Sequence, residues 1–165
     1  MMNIRKADIG DCALIHRMAA EVFPHTYRAI LSPGQIDYMM EWMYAPENIR
    51  RQMEEEGHVY FIAYCDGVPC GYVSVQPEEE DLFHLQKIYV LPEFQRMHLG
   101  GELFRTAVEY IRSVHPAPCR MELNVNRENG ALHFYEHMGM RKVREGDFAI
   151  GNGYYMNDYI MGMEL

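Results

Sequence analysis

One stretch, Leu85 to Ile111 (LQKIYVLPEFQRMHLGGELFRTAVEYI), constrains the fold of this chain more than any other. It opens as an apolar-rich strand, breaks at Pro92 and crosses a loop ending in Gly100-Gly101. Beyond the glycines, Leu103, Phe104, Ala107, Val108 and Ile111 recur on one side of a predicted helix, Glu102 to Val114. A strand that feeds a glycine turn and then a helix start makes a pocket for phosphate. The first turn of a helix has backbone N–H groups without partners, and the positive end of its dipole favours an anion. Glycine lets the backbone come close to a ligand. An ordinary β-turn-α connection has the same outline, so this stretch alone does not choose a ligand.

The flanking chain frames that unit. Asn3 to Ala7 reads as a short strand, and Asp8 and Asp11 precede a helix with Leu14, Ile15, Met18 and Val22 inward. That helix is expected to stop at Pro24, with His25, Thr26 and Tyr27 as a connection. Ser32-Pro33 reads as an N-cap and first helical residue, followed by Ile36, Met39, Met40 and Met43 on one face. Ala45 to Glu56 is a third, charged helix. His58 to Cys65 and Cys70 to Gln76 are strands joined by the hairpin signal Asp66-Gly67. The acidic run Pro77 to Asp81 is a turn, and Leu82 to Val90 is the next strand. Arg120 to Asn126 is a strand, and Asn129 caps a short helix ending at Met138 before Gly139. The tail from Met140 to Leu165 forms two strands around GNGYY. The order β, helices, β-β-β, α, β, α, β-β predicts one mixed α/β (α+β) domain over residues 1–165.

Charge and cysteine content narrow the partners. With 24 acidic against 15 basic residues the net charge is −9, which argues against nucleic acid and is compatible with a cationic substrate. No apolar run is long enough to span a bilayer and no export signal opens the chain, so a cytoplasmic protein is expected. Cys12, Cys65, Cys70 and Cys119 form no C-x-x-C pair and have no histidine at zinc spacing, so no metal site is expected. Cys65 and Cys70 flank the Asp66-Gly67 turn and can face each other as buried thiols.

Two motifs together carry a family resemblance. Ile88-Tyr89-Val90-Leu91-Pro92-Glu93-Phe94-Gln95 leading to Leu99-Gly100-Gly101 resembles the acyl-CoA loop of the GNAT N-acetyltransferases, whose pattern is Gln/Arg-x-x-Gly-x-Gly/Ala. Asn129-Gly130-Ala131-Leu132-His133-Phe134-Tyr135, followed by Gly139-Met140, is similar to that family's N-x-A-x-x-F-Y-x-x-x-G-F motif. The resemblance implies a mostly antiparallel central sheet of about seven strands, splayed at the fourth and fifth and flanked by four to five helices. It implies acetyl-CoA as cosubstrate, its arm lying along Ile88, Tyr89 and Val90. The pyrophosphate would lie on Gln95, Arg96, Met97, His98, Leu99, Gly100 and Gly101, with Asn129 bonding from the far side. Tyr135 would be the general acid near the thioester sulfur; its other reading is a core aromatic.

The chain departs from the family pattern at two places. His98 stands where the pattern has its first glycine. Gln86 stands where many relatives carry a glutamate base, and a carboxamide accepts no proton at neutral pH. His84, two residues back on the same strand face, is a candidate base, alongside a purely structural role.

For the acceptor, Asp37, Tyr38 and Glu41, with Trp42 nearby and Gln86 on the strand, offer carboxylates and aromatic faces to a cationic methylene chain. Asp37 and Glu41 also read as a solvated helix face. Glu21-Val22-Phe23, Tyr27, Ser32-Pro33 and the tail Asp147-Phe148…Gly153-Tyr154-Tyr155…Asp158-Tyr159-Ile160-Met161 resemble the bacterial polyamine (spermine/spermidine) acetyltransferase branch. Acetyl transfer to a polyamine or diamine is therefore expected. The alternatives are a peptide or protein N-terminus or lysine as acceptor, or a non-catalytic acyl-CoA-binding relative. The late strands and the Met-rich second helix are candidate contacts of a homodimer.

Overall fold

The computed structural model describes residues 1–165. Seven strands form a single sheet: β1 (Met2–Lys6), β2 (Val59–Cys65), β3 (Val68–Glu79), β4 (Leu82–Val90), β5 (Arg120–Asn126), β6 (Arg141–Gly151) and β7 (Tyr154–Glu164). Their order across the sheet is β1-β2-β3-β4-β5-β7-β6. Every neighbouring pair is antiparallel except β4 and β5, which are parallel. Helices α1 (Cys12–Tyr27), α2 (Pro33–Tyr44) and α3 (Pro46–Glu54) precede β2; α4 (Leu99–Val114) follows β4, and α5 (Ala131–His137) follows β5.

Local chemistry sets most boundaries. The Ser32 hydroxyl accepts the Gln35 N–H at 3.2 Å and Pro33 occupies the first helical position, so α2 starts there. Asp66 and Gly67 both have positive φ, 49° and 81°, which suits the tight turn joining two right-twisted strands. Cys70 Sγ stands 3.7 Å from Cys65 Sγ across that hairpin, and all four cysteines are buried free thiols.

Four expectations need correction. Pro24 does not end α1, which runs to Tyr27. A proline inside a helix costs about 3 kcal/mol, but here continuing the helix buries Phe23 and Tyr27, and the Thr26 hydroxyl bonds the Val22 carbonyl. The turn after β3 shrinks to Glu80-Asp81 because β3 stays paired through Glu79. Gly100 and Gly101 lie inside the first turn of α4 rather than in a loop before it, which is instead a 3-10 turn over Pro92–Met97. Asn129 stands one residue before the N-cap of α5, where its side-chain Oδ1 accepts the Ala131 N–H at 2.9 Å.

The sheet separates two cores. Leu103, Phe104, Ala107 and Ile111 of α4 pack with Val73, Leu85 and Leu123 on one face. Ile15, Phe23, Ile36, Tyr44 and Ile49 of α1–α3 pack with Tyr60, Ile62 and Tyr72 on the other. Strand β4 changes its allegiance between them. Ser74 pairs with Lys87 and Val75 with Leu85, so Gln86 is a bulged residue without an opposite number. Before the bulge, Phe83 and Leu85 face α4; after it Ile88 and Val90 do, while Lys87 and Tyr89 turn toward α1–α3.

Lys87 is thereby buried at 5% exposure with no carboxylate partner. Its Nζ donates to the Met43 carbonyl, Gln52 Oε1 and the Tyr60 hydroxyl, and lies 4.2 Å from the centre of the Tyr44 ring. Burial pulls its pKa down to about 7, against roughly 10.4 in an unfolded chain. Between those values the unfolded chain carries a proton that the folded chain lacks, so stability rises with pH across that window. Urea unfolding of the wild type relative to Lys87→Met should therefore gain about 1.4 kcal/mol per pH unit from about pH 7.5 to 9.5, and nothing below about pH 6. A pH-independent difference would refute the assignment.

Candidate active site

The parallel pairing of β4 with β5 covers only Leu82–Arg120, Phe83–Met121 and His84–Glu122. Beyond it the two strands part, and a cleft of about 770 Å³ opens between them. Leu85 to Val90 line one wall, Leu123, Asn124 and Val125 the other. One end is closed by the start of α4 and by α5, the opposite side by Val22, His25, Thr26 and Tyr27 of α1.

At the α4 end the cleft is built for an anion. His98 occupies the N-cap position in the left-handed region, with φ 59°, and no side chain caps the helix. The amides of the first turn are left for a ligand. Gly100 and Gly101 line the cleft without a side chain to obstruct it, and Arg105 lies just below, its guanidinium 3.3 Å from where a Cβ on Gly101 would stand. Along the wall, the Leu91 N–H bonds the Cys70 carbonyl on β3. Backbone groups alternate in direction along a strand, so those of Ile88 and Val90 turn toward the gap. The Gln95 side chain reaches the Val90 carbonyl from that side at 3.1 Å.

The middle of the cleft is a cluster of phenols. Tyr135, on α5, is 8% exposed, and burial holds its pKa above the usual range. Its hydroxyl has no hydrogen-bond partner within the chain. Tyr27 and Tyr89 approach each other at 3.4 Å between hydroxyls, and Asn129 Nδ2 donates to the Tyr27 hydroxyl at 3.4 Å. Burial raises both tyrosine pKa values. The cleft lining contains no aspartate or glutamate.

The expected site residues divide accordingly. Ile88, Tyr89, Val90, Gln95, His98, Gly100, Gly101, Asn129, Tyr135 and Gln86 all line the cleft. Leu99 instead anchors α4 in the core, and Arg96 and Met97 lie exposed on the 3-10 turn. His84 sits where β4 is still paired, its Nδ1 3.1 Å from Glu78 Oε1, and does not line the cleft. Asp37 and Glu41 are exposed on α2, away from the lining. Tyr38 is a tie between α2 and the β6–β7 hairpin: its hydroxyl donates to the Ile150 carbonyl at 2.7 Å and its ring lies 5.4 Å from that of Tyr154. Lys87, Arg105, Asn124 and Tyr27 line the cleft without having been singled out as site residues. A lysine inside an apolar strand was the visible signal for Lys87; for Asn124 there was none. No group of three or more His, Cys, Asp or Glu side chains is arranged to hold a metal ion, and no helix is long and apolar enough to cross a membrane.

Comparison with known proteins places this geometry. The model of the acetyltransferase (GNAT) family matches residues 18–140. The uncharacterized N-acetyltransferase YjgM of Escherichia coli is 29% identical over 100 residues, 59% of this chain and 58% of that protein. The probable N-acetyltransferase camello of Xenopus tropicalis is 30% identical over 95 residues, 56% of this chain and 42% of that one. The chain thus matches less than two thirds of either relative's length. An uncharacterized N-acetyltransferase from the pepI 3′ region of Lactobacillus delbrueckii is 24% identical over 92% of this chain and 90% of its own. Among solved structures, the PaiA N-acetyltransferase of Thermoplasma acidophilum in complex with coenzyme A superposes with a TM-score of 0.81 at 22% identity, covering 100% and 99% of the two chains. The ribosomal-protein-S18-alanine N-acetyltransferase of E. coli gives 0.74 at 16% identity, covering 99% and 94%. At these identities the solved structures speak to the fold: a seven-stranded sheet with one parallel pair.

Proposed function

This chain belongs to the GNAT acetyltransferase family, and from that premise we propose that it transfers the acetyl group of acetyl-CoA directly to a primary amine. The observation that carries the reading is the cleft itself. It joins an uncapped helix start, a strand edge whose backbone groups turn toward the gap and a buried phenol without a partner. These residues fit acetyl-CoA. The amides of Gly100 and Gly101, with Arg105, would hold the diphosphate; Ile88 and Val90 would bond the arm; Asn129 and Tyr135 would flank its end. When bound, acetyl-CoA supplies a thioester carbonyl open to attack by a neutral amine. A phenol keeps its proton at neutral pH and burial holds the Tyr135 pKa higher still, so its hydroxyl serves as a donor to the departing sulfur. The Gln86 amide nitrogen donates to Gln76 Oε1 at 2.7 Å, which leaves its carbonyl oxygen for the acceptor. The amine's proton leaves through water in this reading, because His84 is turned to Glu78 and not to the cleft.

Among primary amines we favour a small di- or polyamine. The net charge of −9 draws cations. Glu21 lies beside the cleft residue His25, and the neighbouring Glu93 carboxylate raises the Glu21 pKa. Asp37 and Glu41 contribute to the field rather than to contact. The test is a ranking of kcat/KM for spermidine, putrescine and an alanyl peptide. The polyamines should lead at low salt, with the lead shrinking as ionic strength rises. A peptide that leads at all salt concentrations would reverse the assignment.

A further inference from the structure

One buried carboxylate next to the cleft has no evident structural partner for half of its acceptor capacity. Asp158 on β7 is 4% exposed, and its Oδ1 is buried without a hydrogen bond. Leu123 and Val125 of β5 belong to the α4-side core, so Asn124 and Asn126 face the opposite side of the sheet. Asn126 pairs with Asp158 across the β5–β7 ladder, which places Asp158 on that same face, one row from Asn124. Asn124 lines the cleft, and its Nδ2 lies 3.2 Å from Asp158 Oδ2.

The chemistry of this pair fixes its orientation. A carboxylate only accepts, so the amide of Asn124 must give its nitrogen to Asp158, which leaves the carbonyl oxygen as its free acceptor. The cleft lining holds no acidic side chain, and Asp158 stands directly behind the lining residue Asn124, bonded to its amide. Burial raises the Asp158 pKa, while the Asn124 amide and the nearby Arg127 favour its charged form; in low dielectric that charge acts over several ångströms. A buried oxygen without a donor and an oriented carbonyl beside it suit a group with several N–H donors and a positive charge.

Building on the acetyl-transfer reading, we propose that Asp158, acting through Asn124, is the recognition point for the acceptor's primary ammonium. Asn124 contacts the acceptor; Asp158 is a positioning residue that orients the amide and supplies the charge. The pair thereby selects a compact cationic amine over a neutral nucleophile of the same reach.

The experiment compares wild type with Asp158→Asn in the full chain, using putrescine and hydroxylamine, a nucleophile that is neutral near pH 8. Loss of a charge-assisted contact should raise KM for putrescine by roughly 10- to 100-fold. KM for acetyl-CoA and turnover of hydroxylamine should change less than about threefold. A matching loss with hydroxylamine, or weakened acetyl-CoA affinity, would make Asp158 a structural residue and overturn the proposal, as would an unchanged putrescine KM. If Asp158→Asn fails to fold, Asn124→Ala is expected to raise the putrescine KM alone, and an unchanged value there would likewise overturn it. A wild type that acetylates no amine at all would overturn the transferase reading and this proposal with it, before any variant is compared.

Discussion

Replacing Tyr135 with phenylalanine is expected to lower acetyl transfer to a primary amine by about 10²- to 10⁴-fold, the usual contribution of a general acid. Acetyl-CoA affinity should stay within about threefold. The expectation follows from burial. Tyr135 packs its ring against Phe134, 5.4 Å away between centroids, within the core under α4 and α5. Phenylalanine keeps that packing and removes only the hydroxyl, which no protein group holds. A thiolate leaving into a buried cleft without a donor is a poor leaving group, so the loss should fall on kcat. Steady-state kinetics with a titration of acetyl-CoA binding separates the two. An unchanged kcat would leave Tyr135 as a core aromatic.

The second large effect is expected from Gly101→Glu. Gly101 lies in the first turn of α4, where an acidic side chain favours the helix, so the fold should hold its melting temperature within a few degrees. For the ligand the same change is adverse. A carboxylate at this position stands beside Arg105, which already bonds Glu102 at 2.6 Å, and faces the place proposed for the diphosphate. Two like charges about 4 Å apart at the effective dielectric of a protein surface repel by about 4 kcal/mol. After screening, a loss of coenzyme A affinity of about 10²-fold or more is expected by calorimetry at low salt. Undiminished binding would place the phosphates elsewhere.

Much of this molecule was legible where local chemistry decides. Ser32-Pro33 marked the start of α2, Asp66-Gly67 the first hairpin, and the bounds of β4 and β5 coincide with the sequence reading. The strand-to-helix unit and the second motif point to one cleft. What escaped depends on tertiary pairing. The Gln86 bulge shifts the faces of β4 by one residue, so Lys87 goes to one core and Ile88 to the other; no period-2 pattern foretells a bulge. Pro24 was outweighed by the burial of its neighbours. Asp37 and Glu41 carried suggestive charges at helical spacing, but which face of α2 looks at the cleft is set by how α1, α2 and the β6–β7 hairpin pack. Asp158 and Asn124 lie far apart in sequence and meet only through the β5–β7 register.

In the proposed function, the gap between β4 and β5 holds an acetyl donor and passes its acetyl group to an amine. The direct measurement is thiol released from acetyl-CoA on addition of a primary amine, with the acetylated amine followed in parallel by mass spectrometry. Equal amounts of free thiol and acetylated amine are expected, with both suppressed in Tyr135→Phe. Coenzyme A that binds tightly while no amine provokes thiol release would contradict it and leave an acyl-CoA-binding protein without transfer.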